Sequence, residues 1–97
     1  MFYEIGIPKD VQNQIRLLPG NIKAMVKQQI LLLSENPRPS QSKELEGHTN
    51  YYRIWLAAKY RLVWHVVDDD HYVELDYVGL KTPDLYANLG LGRSSDE

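Results

Sequence analysis

The sequence predicts a two-layer α+β domain, an N-terminal helical hairpin packed on a small, mainly antiparallel sheet. Three observations lead there. Residues 51–78, YYRIWLAAKYRLVWHVVDDDHYVELDYV, hold three strand-like runs separated by two very short breaks. Strands joined so tightly lie side by side and antiparallel. Upstream, two stretches place apolar residues at helical spacing, divided by Pro19-Gly20. Finally, the period-2 pattern of the meander leaves one apolar face for those helices to cover.

In chain order, residues 2–7 alternate weakly and suit a short first strand. Pro8 fits the first position of a helix over residues 8–18, with Val11, Ile15 and Leu18 on its apolar side. A second helix is expected over residues 21–34, with Asn21 as N-cap and Ile22, Met25, Val26, Ile30 and Leu33 as its buried stripe. Leu31 and Leu32 widen that stripe, and Asn36-Pro37-Arg38-Pro39 ends the helix. Residues 40–50 are polar, carry only Leu45 as a large apolar residue, and read as a loop along the sheet edge. Strands follow at about 51–57, 60–67 and 71–78, with turns at Ala58-Lys59 and at Asp68, Asp69 and Asp70. One face then collects Tyr52, Ile54, Leu56, Leu62, Trp64, Val66, Val73, Leu75 and Tyr77. The other collects Tyr51, Arg53, Trp55, Arg61, Val63, His65, Glu74 and Asp76. Residues 82–89 suit a short final helix or turn, and 91–97 a flexible tail. The whole reads as a single domain over residues 1–90.

Composition narrows the chemistry. The chain has 97 residues and no cysteine, which removes disulfides, thiolate zinc sites and cysteine nucleophiles, and fits a reducing cytoplasm. Its start lacks the basic and apolar regions of a signal peptide, and no apolar run is long enough for a membrane span. The net charge of −2 argues against a uniformly basic surface. Setting aside the Asp68–Asp70 turn and the final Asp96-Glu97 leaves 8 acids against 11 bases, so a local basic patch fits the count. His71 beside the aspartate turn is a turn residue rather than a metal ligand, and no metal or other cofactor is expected.

The motifs carry a more specific message. "NPRP…SKEL" before the meander, "YYRIWLAAKYRLVWHVVDDD" within it and "VGLKTPDLY" after it resemble the RelE/ParE toxin superfamily of bacterial toxin–antitoxin modules. That family shows a proline-marked helix exit with a Lys-x-Leu loop and a Tyr-[Lys/Arg]-Ile…Tyr-Arg-Leu-Val-Tyr-x-Val core. Its last strand is followed by a basic residue and a tyrosine. The resemblance implies a β-α-α-β-β-β fold with a short C-terminal segment. It also implies a cytoplasmic toxin neutralised by a cognate antitoxin, which reaches operator DNA only through the antitoxin complex. In the RelE branch it implies metal-free cleavage of mRNA on the ribosome, by attack of a ribose 2′-hydroxyl on the adjacent phosphate. Such a reaction uses a base, cationic stabilisation of the phosphorane and an acid.

The resemblance casts Arg61 as the phosphate-stabilising arginine, Arg53 and Lys43 as substrate-binding cations, and Lys81 as general acid or phosphate clamp. Tyr86 matches the tyrosine that positions or stacks on a base. Trp55 stands where that branch carries a second lysine assigned to base catalysis. An indole takes no proton, but it stacks on nucleobases. His65, on the Arg61 face and expected near enough to share its phosphate, is the candidate base, ahead of His48, Glu44 and Glu46. Two other readings stay open. One is a ParE-like inhibitor that binds DNA gyrase and cleaves no RNA. The other is a catalytically degenerate homologue that acts only in an antitoxin complex.

Overall fold

The computed structural model describes residues 2–82, 85, 89 and 90. It contains β1 (Glu4–Gly6), α1 (Lys9–Arg16), α2 (Gly20–Glu35), β2 (Lys43–Glu44), β3 (Tyr51–Leu56), β4 (Tyr60–Val67) and β5 (Tyr72–Leu80). The strands form one sheet in the order β1-β5-β4-β3-β2. Only β1 and β5 run parallel; the other pairs are antiparallel. The two helices cover one face, so the expected two-layer α+β arrangement is the one observed.

Both helices begin immediately after a proline. Pro8 and Pro19 are extended (ψ 159° and 152°) and act as N-caps through their carbonyls, without a side-chain cap. The Pro19 carbonyl accepts from the Ile22 and Lys23 N–H groups at 3.0 and 2.9 Å. Asn21 therefore lies inside α2 rather than capping it, a correction to the sequence reading. α1 ends at Arg16 because Leu17 and Leu18 tighten into i→i−3 bonds and Pro19 has no N–H to continue them.

The core joins Val11, Ile22, Val26 and Leu33 to Ile54, Leu56, Leu62, Trp64, Val66, Val73, Leu75 and Val78. Trp64 is fully buried, and its indole N–H donates to the Pro37 carbonyl at 2.9 Å, so the proline-rich helix exit satisfies the one polar atom of that ring. The stripe on α2 is narrower than expected. Met25 and Leu32 lie at its exposed margin and Leu31, 68% exposed, points away from the sheet.

Two further departures shape the sheet. The polar stretch expected as a loop contains β2, which pairs Lys43 with Arg53 and Glu44 with Tyr52. The β4–β5 ladder slips between Val63↔Tyr77 and Trp64↔Leu75, leaving Asp76 as an extra residue in a β-bulge. The bulge reverses the alternation beyond it. Val78, not Tyr77, reaches the core, while Tyr77 turns to the opposite face beside Val63, Leu45 and Leu85.

One polar cluster ties the edges together. The Arg38 guanidinium donates to Asp68 at 2.7 and 3.1 Å, to the Tyr52 hydroxyl at 2.9 Å and to Asn50 Oδ1 at 3.0 Å. Tyr3 donates to the same carboxylate at 2.8 Å. Arg38 and Tyr3 hold the Asp68 carboxyl down to about 2, and the hydrogen bond to Asp68 in turn raises the Arg38 guanidinium above its ordinary value. The helix exit, β3 and the turn before β5 are thereby joined to the N-terminal segment.

Candidate functional site

The candidate site is the sheet face opposite the helices, and strand register fixes which side chains meet there. Tyr51, His65 and Glu74 form one cross-strand row. Lys43, Arg53, Val63 and Tyr77 form the next, and Trp55, Arg61 and Gly79 the third. Lys81 follows β5 by one residue, its N–H donating to the Lys59 carbonyl at 3.2 Å. Lys43, Arg53 and Arg61 thus come from three neighbouring strands on one face, and Lys81 follows the last strand. This is a track of cations that suits a polyanion, on a chain whose net charge is negative.

The two arginines are not open to solvent. Arg61 is 1% exposed and Arg53 8%. The Arg61 guanidinium lies 3.8 Å from the centroid of the Trp55 ring, its direct cross-strand partner. On its other side stands Gly79, and the Tyr77 ring lies across that glycine. A Cβ at position 79 would stand 2.8 Å from the Tyr77 hydroxyl, so glycine is what lets the ring lie flat there. The Tyr77 hydroxyl is fastened by donating to the Leu80 carbonyl at 2.6 Å. The Nε atoms of both arginines are buried without a hydrogen bond, while each guanidinium has interaction partners through its other groups.

The opposite corner is acidic. Burial, then the charge and hydrogen bond of Glu74 and the charge of Asp10 on α1, push the Asp76 carboxyl up to about 7. Tyr51 is raised by burial and by the charges of Asp76 and Glu74. Its ring stacks on His65 at 4.1 Å between centroids, with 6° between planes. His65 is four residues from Arg61 along β4, about 13 Å, too far to share one phosphate with it. The expected proximity of the two is therefore corrected. His65 belongs to the row of Tyr51 and Glu74.

Among the weaker candidates, Glu44 accepts the Asn50 N–H at 2.7 Å and His48 sits edge-on to Tyr51. Tyr86 and residues 91–97, assigned from the sequence, lie outside the described residues. No group of three or more histidine, aspartate or glutamate side chains among the described residues is gathered to hold a metal ion. No helix among them is long and apolar enough to cross a membrane. The sequence reading missed one member of this face, Tyr77, and the environment of another, Asp76. Asp76 acquires its environment from the bulge, and Tyr77 turns to this side because of it.

No protein-family model matches the chain, and no curated protein matches it by sequence. Solved structures do. A double arginine-to-alanine mutant of the E. coli toxin RelE in the free state matches with a TM-score of 0.79 and 25% identity, over 93% of this chain and 96% of that one. The chain belongs to the RelE-like toxin superfamily. The intact E. coli RelBE toxin–antitoxin complex holds a chain that matches at a TM-score of 0.73 and 27% identity, over 82% of this chain and 98% of that one. The archaeal RelE–RelB complex from Pyrococcus horikoshii OT3 shares the RelE fold, with a TM-score of 0.74 at 23% identity over 86% and 99% of the two chains.

Proposed function

We propose that this chain is the cytoplasmic toxin of a type II toxin–antitoxin pair, a metal-independent endoribonuclease acting on mRNA in the ribosome and neutralised by a cognate antitoxin. The observation that carries the reading is the set of Lys43, Arg53 and Arg61 on the face of a RelE-like sheet opposite its helices, with Lys81 directly after β5. RelE neighbours found in complexes with RelB support an antitoxin as partner. In the proposed reaction a ribose 2′-hydroxyl attacks the adjacent phosphate. Arg61 neutralises the charge that grows on the phosphorane, and its planar fork suits two phosphate oxygens. Arg53 and Lys43 hold the flanking backbone, and Lys81 clamps the phosphate or protonates the leaving oxygen. Tyr86 orients the substrate on the strength of its motif.

The test is induction of the chain alone in bacteria. Growth and translation arrest are expected, with relief by Arg61→Ala and by Lys81→Ala in variants shown to be folded by circular dichroism. Normal growth with abundant folded wild-type protein would refute the reading and favour the degenerate homologue.

One observation favours a second reading, a ParE-like inhibitor of DNA gyrase. The position of the expected catalytic lysine holds Trp55, which takes no proton, and His65 is two rows from Arg61. Primer extension on mRNA after induction separates the two. Only the ribonuclease leaves cuts in codon register.

A further inference from the structure

The peptide unit that ends β5 is held by both of its polar groups. This unit, joining Leu80 to Lys81, offers one carbonyl and one N–H. The Leu80 carbonyl accepts the Tyr77 hydroxyl at 2.6 Å. The Lys81 N–H donates to the Lys59 carbonyl, in the turn between β3 and β4, at 3.2 Å. A peptide unit is planar, so a partner on each side fixes its tilt about the chain. That tilt sets the direction in which the Lys81 side chain leaves the backbone.

The two fastenings differ in kind. The Lys81–Lys59 bond continues the β4–β5 ladder one step beyond the Tyr60↔Leu80 pair. The other is made by a side chain three residues back, and it depends on three local features. The bulge at Asp76 puts Tyr77 on the face away from the helices. Gly79 gives its ring room, since a Cβ there would stand 2.8 Å from the hydroxyl and 3.2 Å from Cζ. Leu45, Val63 and Leu85 pack with the ring. Together they aim one hydroxyl along β5. Burial raises that hydroxyl above its ordinary value, so it stays protonated and donating across the neutral range.

We propose that Tyr77 is a positioning residue for Lys81: it fixes the Leu80–Lys81 peptide and so aims the lysine in RNA cleavage. It acts through the backbone and not on the reacting atoms. Lys81 has other interaction partners as well, and the clamp fixes the backbone from which its side chain starts. The inference rests on the ribonuclease reading above, in which Lys81 clamps the phosphate or protonates the leaving oxygen. It adds the device that holds that residue in place. A cationic side chain that drifts from its phosphate by even an ångström loses rate, because the reaction depends on orientation.

The test uses Tyr77→Phe, which keeps the ring and its packing and removes only the hydroxyl. In the first arm, amide hydrogen exchange of the full chain without RNA is followed by NMR. Exchange at Lys81 is expected to quicken by about three- to tenfold, the effect of one net hydrogen bond. Exchange at Val66, whose N–H donates to Asn50, is expected to stay as it was. Unchanged exchange at Lys81, or an equal rise at Val66, overturns the clamp. In the second arm, mRNA cleavage on ribosomes is measured for variants shown to be folded. Tyr77→Phe is expected to lower kcat by about three- to tenfold and leave KM unchanged. Combined with Lys81→Ala it is expected to cause no loss beyond that of Lys81→Ala alone, since no lysine is left to aim. An unchanged kcat, a loss confined to KM, or a further loss in the double variant overturns the positioning role and leaves the ribonuclease reading standing. No cleavage by the folded wild-type chain overturns both.

Discussion

Replacing Asp76 with asparagine should stabilise the protein above neutral pH and leave it nearly unchanged in mild acid. In the folded chain burial and the neighbouring Glu74 push this carboxyl from its ordinary 3.8 up to about 7. Between those values the native state holds a proton that the unfolded chain has released. Stability therefore falls as pH rises from about 4 to about 7, and the penalty stands in full above that. A separation of roughly three pH units at ~1.4 kcal/mol each sets a ceiling of about 4 kcal/mol. The carboxyl keeps part of its surface in water, and solvent screening brings the expected penalty to about 1–2 kcal/mol. Asparagine has the same shape, carries no charge and can still hydrogen-bond Glu74. Urea unfolding followed by tryptophan fluorescence at pH 4, 6 and 8 measures the difference. The variant should gain about 1–2 kcal/mol at pH 8 and differ by less than about 0.5 kcal/mol at pH 4. Parallel pH profiles for the two proteins, or a less stable variant at pH 8, would refute the reasoning.

Asp68 should behave in the opposite sense. Arg38 and Tyr3 hold its carboxyl down to about 2, so its contribution is present above about 4 and is lost as pH falls toward 2. Thermal melts of Asp68→Asn should show a lower Tm at pH 7 and a flatter decline across pH 4 to 2 than the wild type; an equally steep decline would count against this role. Gly6→Ala should cost about 1–3 kcal/mol, because a Cβ there runs into the Tyr72 ring that lies over it. In a double-mutant cycle with Tyr72→Ala most of that cost should vanish, and strict additivity would place the strain elsewhere.

The fold was legible because its signals are local. Proline and glycine punctuate the helices, and two breaks of three and four residues force β3, β4 and β5 to be neighbours. The bulge also had a signal in the sequence. The apolar spacing in the last strand, Val73, Leu75, Val78, takes one step of three where a regular strand takes two, and that step marks the extra residue at Asp76. Reading through it with a fixed period placed Tyr77 in the core, where Val78 belongs.

Other features carried no such mark. β2 is only two residues long and exists because Lys43 and Glu44 find a partner in β3, not because of their own pattern. The stripe on α2 was drawn too wide because apolarity alone does not show how narrow a face the sheet offers. Leu31 and Leu32 fall outside it. Asp68 meets Arg38 and Tyr3 across 30 and 65 residues of chain, a meeting set by topology.

For the site, the face and its cations could be read from alternation and motif. The burial of Arg61 could not, since it goes with a cross-strand ring on one neighbouring strand and a glycine on the other.

The parallel pairing of β1 with β5 has a kinetic consequence. Glu4–Gly6 close the sheet against residues 72–74, so the first strand has no partner until nearly the last one is made. The β3–β4 hairpin, which brings Trp55 over Arg61, needs only a short loop to close. During synthesis the Trp55–Arg61 pair is therefore assembled ahead of the N-terminal closure, and the long-range β1–β5 pairing is the step expected to limit the folding rate.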